Sequence, residues 1–111
     1  GDWAVFVGRD IIGDGDRELG ANLMRMFFYT LVQGEDKPGA VLFMNAGVRL
    51  PTLDEQIPAH LESLADAGVE ILVCGTCLSF YGLTDRLQAG TVSNMFDIVS
   101  RMQAAAKVIT L

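Results

Sequence analysis

The sequence predicts an α/β fold, a three-layer sandwich whose mostly parallel five-stranded sheet is covered by helices on both faces. Short apolar runs alternate with longer stretches of helical period, the pattern of strands joined by helical crossovers. The short runs are continuously apolar rather than alternating, as strands buried on both faces are. Half of the 111 residues are hydrophobic, which supplies one core for one domain spanning residues 1–111.

Trp3 to Gly8 reads as the first strand, and Gly13-Asp14-Gly15-Asp16 as a flexible acidic turn. Asp14 or Asp16 caps the next helix, since a carboxylate accepts exposed N–H groups and meets the positive end of the helix dipole. That helix runs from about Arg17 to Val32, with Leu19, Leu23, Met24, Phe27, Phe28 and Leu31 at helical spacing and Gly34 stopping it. Val41 to Met44 is the second strand. Pro51 to Leu53 leads into a helix from about Asp54 to Ala67, with Ile57, Leu61, Leu64 and Ala65 as its buried stripe and Gly68 at its end. Val69 to Cys74 is the third strand. Short helical segments follow at Leu78 to Tyr81 and near Arg86 to Ala89, and Thr91-Val92 offers a further short strand. Ser93 or Asn94 opens a last helix to about Ala105, and Lys107 to Leu111 closes the sheet. The chain begins and ends in strand with no tail, as expected of a domain cut from a longer protein.

Bulk properties narrow the function. The net charge is −6, and the eight basic residues are scattered, which argues against nucleic acid, whose phosphates need clustered Lys and Arg. No apolar stretch approaches the ~18 residues of a membrane span. The two cysteines lie three positions apart, unlike a secreted disulfide scaffold, and predict a cytoplasmic protein with one local dithiol.

In parallel sheets the site lies beyond the carboxyl ends of the strands. Gly8 to Gly15, Asn45 to Val48, Cys74 to Cys77 and Gly90 to Met95 occupy those positions. Cys74 and Cys77 are the leading chemical candidates. A thiol reacts as its thiolate, and a strand end followed by a helix start can stabilise that charge. Gly75 and Thr76 are placed to aim N–H groups at the Cys74 sulfur, and Gly75 removes bulk where a substrate would approach. Cys77, one helical turn on, can reach Cys74. Asn45 can bond an anion or its own turn, and Gly47 permits a tight backbone path. Two buried structural cysteines remain the plain alternative.

Other chemistries lack their parts. Zinc wants about four ligands, and the only His, His60, sits mid-helix far from Cys74. The Gly13 to Glu18 segment lacks the Gly and closing Glu of a calcium loop and the Gly and Lys of a phosphate loop. Serine catalysis lacks a placed base. No metal and no cofactor is expected, and the five methionines read mostly as core filling.

Val73-Cys74-Gly75-Thr76-Cys77-Leu78-Ser79-Phe80-Tyr81-Gly82-Leu83 resembles the DsrE-like family, most nearly the C-terminal domain of its YedF-like branch. Gly13-x-Gly15-x-x-x-Leu19-Gly20-x-x-Leu23-Met24, Phe43-x-Asn45-x-Gly47-Val48 and Ser93-Asn94-Met95 resemble further signatures of that group, in the same order. The resemblance implies a DsrE-like fold, self-association into oligomers, and a sulfurtransferase-like place in sulfur relay or selenium metabolism. It gives Cys74 the role of persulfide carrier, with Cys77 an accessory thiol particular to this branch, and places Asn45, Gly47, Gly75, Thr76 and Asn94 around the substrate. It implies sulfur-donor and sulfur-acceptor proteins as partners, among them a TusA-like domain that would precede this one in the full protein. Relatives often carry Arg just before the Gly, where Phe80 and Tyr81 stand here. A dithiol redox protein and a non-catalytic oligomeric binding module are the competing readings.

Overall fold

Backbone N–H and C=O groups buried between two helix layers must pair within the sheet, and the apolar runs do so as parallel strands. The computed structural model describes residues 1–111. The strands are β1 (Ala4–Val7), β2 (Ala40–Phe43), β3 (Glu70–Cys74), β4 (Thr91–Ser93) and β5 (Val108–Thr110). They form one sheet in the order β4-β3-β2-β1-β5, with every neighbouring pair parallel. Val5, Val7, Val41, Leu42, Phe43 and Val73 are fully buried. The edge strands β4 and β5 are only three residues long, which limits the unpaired backbone they expose.

The helices are α1 (Arg17–Gln33), α2 (Leu50–Leu53), α3 (Ile57–Asp66), α4 (Gly75–Phe80) and α5 (Met95–Ala104). Steps from β1 through β3 move one way across the sheet, whereas the step from β4 to β5 returns past β1. Right-handed crossovers therefore place α1 and α3 on one face and α5 on the other. Phe28 of α1 stacks on Phe43 of β2 at 5.9 Å between ring centres. Met24, Leu61, Leu64 and Ile98 complete the seal.

Local chemistry decides the boundaries. Asp16, not Asp14, caps α1, its Oδ2 accepting the Leu19 N–H at 2.8 Å. Leu19 itself is exposed, because the chain before α1 folds over Gly20 instead. A Cβ at Gly20 would sit 2.8 Å from the Ile11 Cβ. The helix expected from Asp54 starts at Ile57. Asp54 turns out to be a cap, its Oδ2 accepting the N–H groups of Gln56 and Ile57 at 2.9 Å each. Residues expected as a loop before it are helical, a 3₁₀ turn at Asn45–Arg49 running into α2. Ala65 is exposed, and Pro58 replaces it in the buried stripe of α3. The segment expected near Arg86 to Ala89 is a 3₁₀ turn at Thr84–Arg86. Met24 alone of the methionines is fully buried, while Met26 and Met95 are exposed.

Burial pushes the Asp54 carboxyl up, but hydrogen bonds from Arg25 and from the N–H groups of Ile57 and Gln56 outweigh it and hold the group below its usual range. The Arg25–Asp54 pair, at 2.9 Å, ties α1 to the start of α3.

Gly47 fixes how the β2–α3 connection meets the sheet. A Cβ there would fall 2.1 Å from the Val7 carbonyl oxygen, inside any possible contact. Gly47→Ala should therefore displace the 45–49 turn from β1 and cost about 2 kcal/mol or more. Urea unfolding of the two proteins side by side measures this, and equal midpoints would refute it.

Candidate functional site

The chemistry-bearing residues gather where β3 ends. Cys74 is its last residue, and α4 begins at the next. With no loop between strand and helix, regular structure holds both thiols. Cys74 is the residue before the helix, and its Sγ accepts the Cys77 N–H at 3.4 Å. The N–H groups of Gly75 and Thr76 were expected there. Cap geometry instead favours the third helical residue, whose N–H turns back toward the cap side chain.

The two sulfurs differ in access. Cys74 is only 4% exposed, whereas Cys77 is half-buried. Both are free thiols. The Cys77 Sγ accepts the Asn45 N–H at 3.1 Å. Burial pushes the Cys77 thiol above its ordinary range, its hydrogen bond to Cys74 and the charge there push it further, and the Asn45 N–H works the other way.

Asn45 reaches Cys77 through an unusual backbone conformation. Its φ of 50° makes it the one non-glycine residue in the left-handed region, which asparagine tolerates better than most. Its side-chain Oδ1 accepts a hydrogen bond from the Tyr81 hydroxyl at 3.1 Å. The Arg49 guanidinium lies 4.7 Å from the centre of the Tyr81 ring, a cation–π contact, and Arg49 is itself tied to Asp10 at 3.4 Å. Asn45 thus bonds a thiol through its backbone and a tyrosine through its side chain.

A cavity of about 390 Å³ opens on this assembly, lined by Asn45, Thr76, Cys77, Phe80 and Tyr81. Phe80 meets Tyr81 edge to face at 5.2 Å and is otherwise exposed. Cys74 does not line the cavity. A second cavity of about 420 Å³ lies toward the other sheet edge, on the expected Gly8 to Gly15 side, with Asp10, Arg17, Arg25, Arg49, Asp54 and Glu55 in its wall. Its arginines are occupied by Asp10 and Asp54.

The remaining expected site residues are placed as follows. Gly75 leaves room for β4, since a Cβ there would meet the Val92 Cγ1 at 3.1 Å and the Ser93 carbonyl oxygen at 3.2 Å. Gly47 packs behind the site against β1. Asn94 caps α5, its Oδ1 accepting the Asp97 N–H at 2.8 Å. His60 packs edge-on against Tyr29, away from both thiols, and nowhere do three or more His, Cys, Asp or Glu side chains gather as a metal site would require. Three contributors were not singled out as site residues, although the segments holding them were named: Phe80, Tyr81 and Ser93, which pairs with Cys74 across the β3–β4 ladder. Once α4 starts at Gly75, Thr76, Cys77 and Phe80 fall at one- and three-residue steps on one helix face, and that spacing was already in the sequence.

The fold and the strand-end thiol pair define an α/β domain with two free thiols at the carboxyl end of its parallel sheet. The chain belongs to the DsrE/DsrF-like family, whose model matches residues 34–111, well over half its length. Among solved structures it is similar to the ychN protein of E. coli, with a TM-score of 0.68, 22% identity and 99% of each chain covered. It is also similar to BT1422 of Bacteroides thetaiotaomicron, a protein of unknown function, at a TM-score of 0.66 and 15% identity, over 99% of this chain and 95% of that one. MTH1491 of Methanobacterium thermoautotrophicum, likewise of unknown function, gives a TM-score of 0.64 at 22% identity, over 98% of this chain and 97% of that one. At these identities the likeness is one of fold. No curated protein sequence matches the chain.

The raised Cys77 thiol has a signature in pH. Alkylation of Cys77, followed by peptide mass spectrometry, should show an inflection above that of the same thiol in urea-unfolded protein. Cys74→Ser should move the inflection back down, because it removes the partner sulfur. The unfolded chain loses the Cys77 proton first, so this contribution to stability is complete below the unfolded pKa and disappears as pH rises through the folded one. An inflection at or below the unfolded value would refute the assignment.

Proposed function

We propose that this domain is a sulfur-relay carrier in which Cys74 takes the sulfane sulfur of a donor persulfide, holds it as a cysteine persulfide and passes it to an acceptor. The observation that carries this reading is the free thiol pair at the β3–α4 junction of a DsrE/DsrF-like domain. Sulfur relay is the chemistry associated with that family. The Cys77 N–H directed at the Cys74 sulfur supports it further, since it gives that sulfur a fixed backbone donor at the strand end.

The finer assignments follow from the sequence resemblance. The YedF-like version of the family, with its Cys-x-x-Cys, makes a TusA-like domain of the same longer protein the natural exchange partner and admits selenium as cargo. The reaction is sulfurtransferase-like, needs no cofactor, and suits the reducing cytoplasm. Self-association is supported by exposed Val92, Met95, Phe96 and Val99 around edge strand β4. Sedimentation velocity should report an oligomer for the native chain and a smaller species for Phe96→Asp. A native monomer would reject that part.

Loading the reduced protein with a persulfide donor, blocking thiols and mapping peptides by mass spectrometry should place one added sulfur on Cys74 at equilibrium. A reduced, correctly folded Cys74 that takes up no sulfur rejects the carrier reading. The closeness of the two free thiols at the start of α4 supports one alternative, a dithiol redox couple. In that case titration against glutathione would give a Cys74–Cys77 disulfide and no sulfur uptake.

A further inference from the structure

We infer that sulfur reaches Cys74 by way of Cys77: Cys77 is the thiol that meets the donor, and Cys74 is the buried store beside the Ser93 hydroxyl. This rests on the carrier reading above and reassigns the accessory thiol as the first acceptor.

Access is the first argument. A donor persulfide must bring its outer sulfur into contact with the attacking one, in line with the bond being broken. Cys74 is 4% exposed and absent from the cavity wall, while Cys77 forms part of that wall. The cavity is open to a side chain arriving from outside, and its lining of Asn45, Thr76, Phe80 and Tyr81 carries no formal charge. It therefore suits a persulfide flanked by uncharged groups. The Asn45 N–H points at the Cys77 sulfur, where it stabilises the charge that appears when Cys77 is the attacker or the leaving group.

Proximity is the second. The Cys77 backbone N–H donates to the Cys74 sulfur at 3.4 Å and the two residues lie one helical turn apart, so the second transfer needs no large movement.

Ser93 is the third, and it is independent of the other two. Its Oγ is sealed from solvent and has no hydrogen-bond partner. Such groups are rare in folded proteins because they forfeit their bonds to water. Ser93 pairs with Cys74 across the β3–β4 ladder, so both side chains leave the same face of the sheet on strands about 4.8 Å apart. A sulfur added to Cys74 brings a new acceptor to that face, and the idle hydroxyl can donate to it.

The steps balance without any oxidant or reductant. Cys77, having given up its proton, attacks the outer sulfur of R–S–SH as its thiolate. The new bond joins Cys77 Sγ to that sulfur, the R–S bond to it breaks, and R leaves as R–SH with the proton Cys77 gave up. Cys74, as its thiolate, then attacks the outer sulfur of Cys77–S–SH: the Cys74 Sγ–S bond forms, the Cys77 Sγ–S bond breaks, and the proton Cys74 gave up regenerates Cys77–SH. One sulfane sulfur moves twice, and no net oxidation occurs.

The test uses glutathione persulfide, rapid quenching with iodoacetamide and peptide mapping against time. In the wild type the added sulfur should appear on Cys77 first and then move to Cys74. Cys74→Ser should trap it on Cys77. Cys77→Ser should slow the loading of Cys74 by roughly ten-fold or more. Ser93→Ala removes a group that makes no hydrogen bond, so it keeps the fold, and should shift the final distribution from Cys74 toward Cys77. Loading of Cys74 in Cys77→Ser at the wild-type rate overturns the route while leaving the carrier reading intact. An unchanged distribution in Ser93→Ala overturns the storage role of the hydroxyl. No added sulfur on either cysteine of the wild type overturns the carrier reading itself and this inference with it.

Discussion

The approach of Gly47 to the end of β1 is the contact on which the site depends. No side chain fits between its Cα and the Val7 carbonyl oxygen, so the backbone of the 45–49 turn lies directly on the strand. That contact seats the turn beside the β3–α4 junction. Asn45, two residues earlier, is then carried into the left-handed region with its N–H at Cys77. The strain is offset by bonds on both sides of the residue, the backbone to sulfur and the side chain to Tyr81. Arg49, two residues later in the same turn, covers the Tyr81 ring. One steric requirement at a glycine thus positions a donor, a tyrosine and an arginine around one thiol.

The sequence reveals the architecture well for a physical reason. Strands buried on both faces must be continuously apolar, and Val41 to Phe43 and Ile71 to Val73 allow no other reading. The helix caps were legible for the same kind of reason to within a choice of two residues, Asp14 or Asp16 and Ser93 or Asn94, and the structure selects Asp16 and Asn94. The misplacements cluster at Asn45 to Gln56. There a 3₁₀ turn, a single α turn and an Asp cap follow one another, and none is long enough to show a period. Leu19 and Ala65 were assigned to buried stripes by spacing alone. Spacing gives the phase of a helix but not where its ends leave the core, and both residues lie near such ends.

The thiol pair was legible as a pair, and its asymmetry was not. Cys-x-x-Cys says only that two sulfurs are near each other. Which one is sealed depends on where the helix begins. Since α4 starts at Gly75, Cys74 becomes its cap and is drawn under the first turn, while Cys77 faces the cavity. Had the helix begun at Leu78, as the apolar pattern alone suggests, both cysteines would have stood in a loop with no such division.

That division bears on which chemistry the pair suits. A redox couple and a relay would use the sulfurs in the same order, with the exposed Cys77 attacking and the buried Cys74 following. They differ in what remains on Cys74. A disulfide would leave a bond between the two sulfurs, whereas in the free-thiol protein the Ser93 hydroxyl is buried without a partner. A persulfide would add an acceptor on the face that Cys74 and Ser93 share. On the carrier reading, a sulfur added to Cys74 is the change that would offer this unpartnered hydroxyl an acceptor on the face the two residues share.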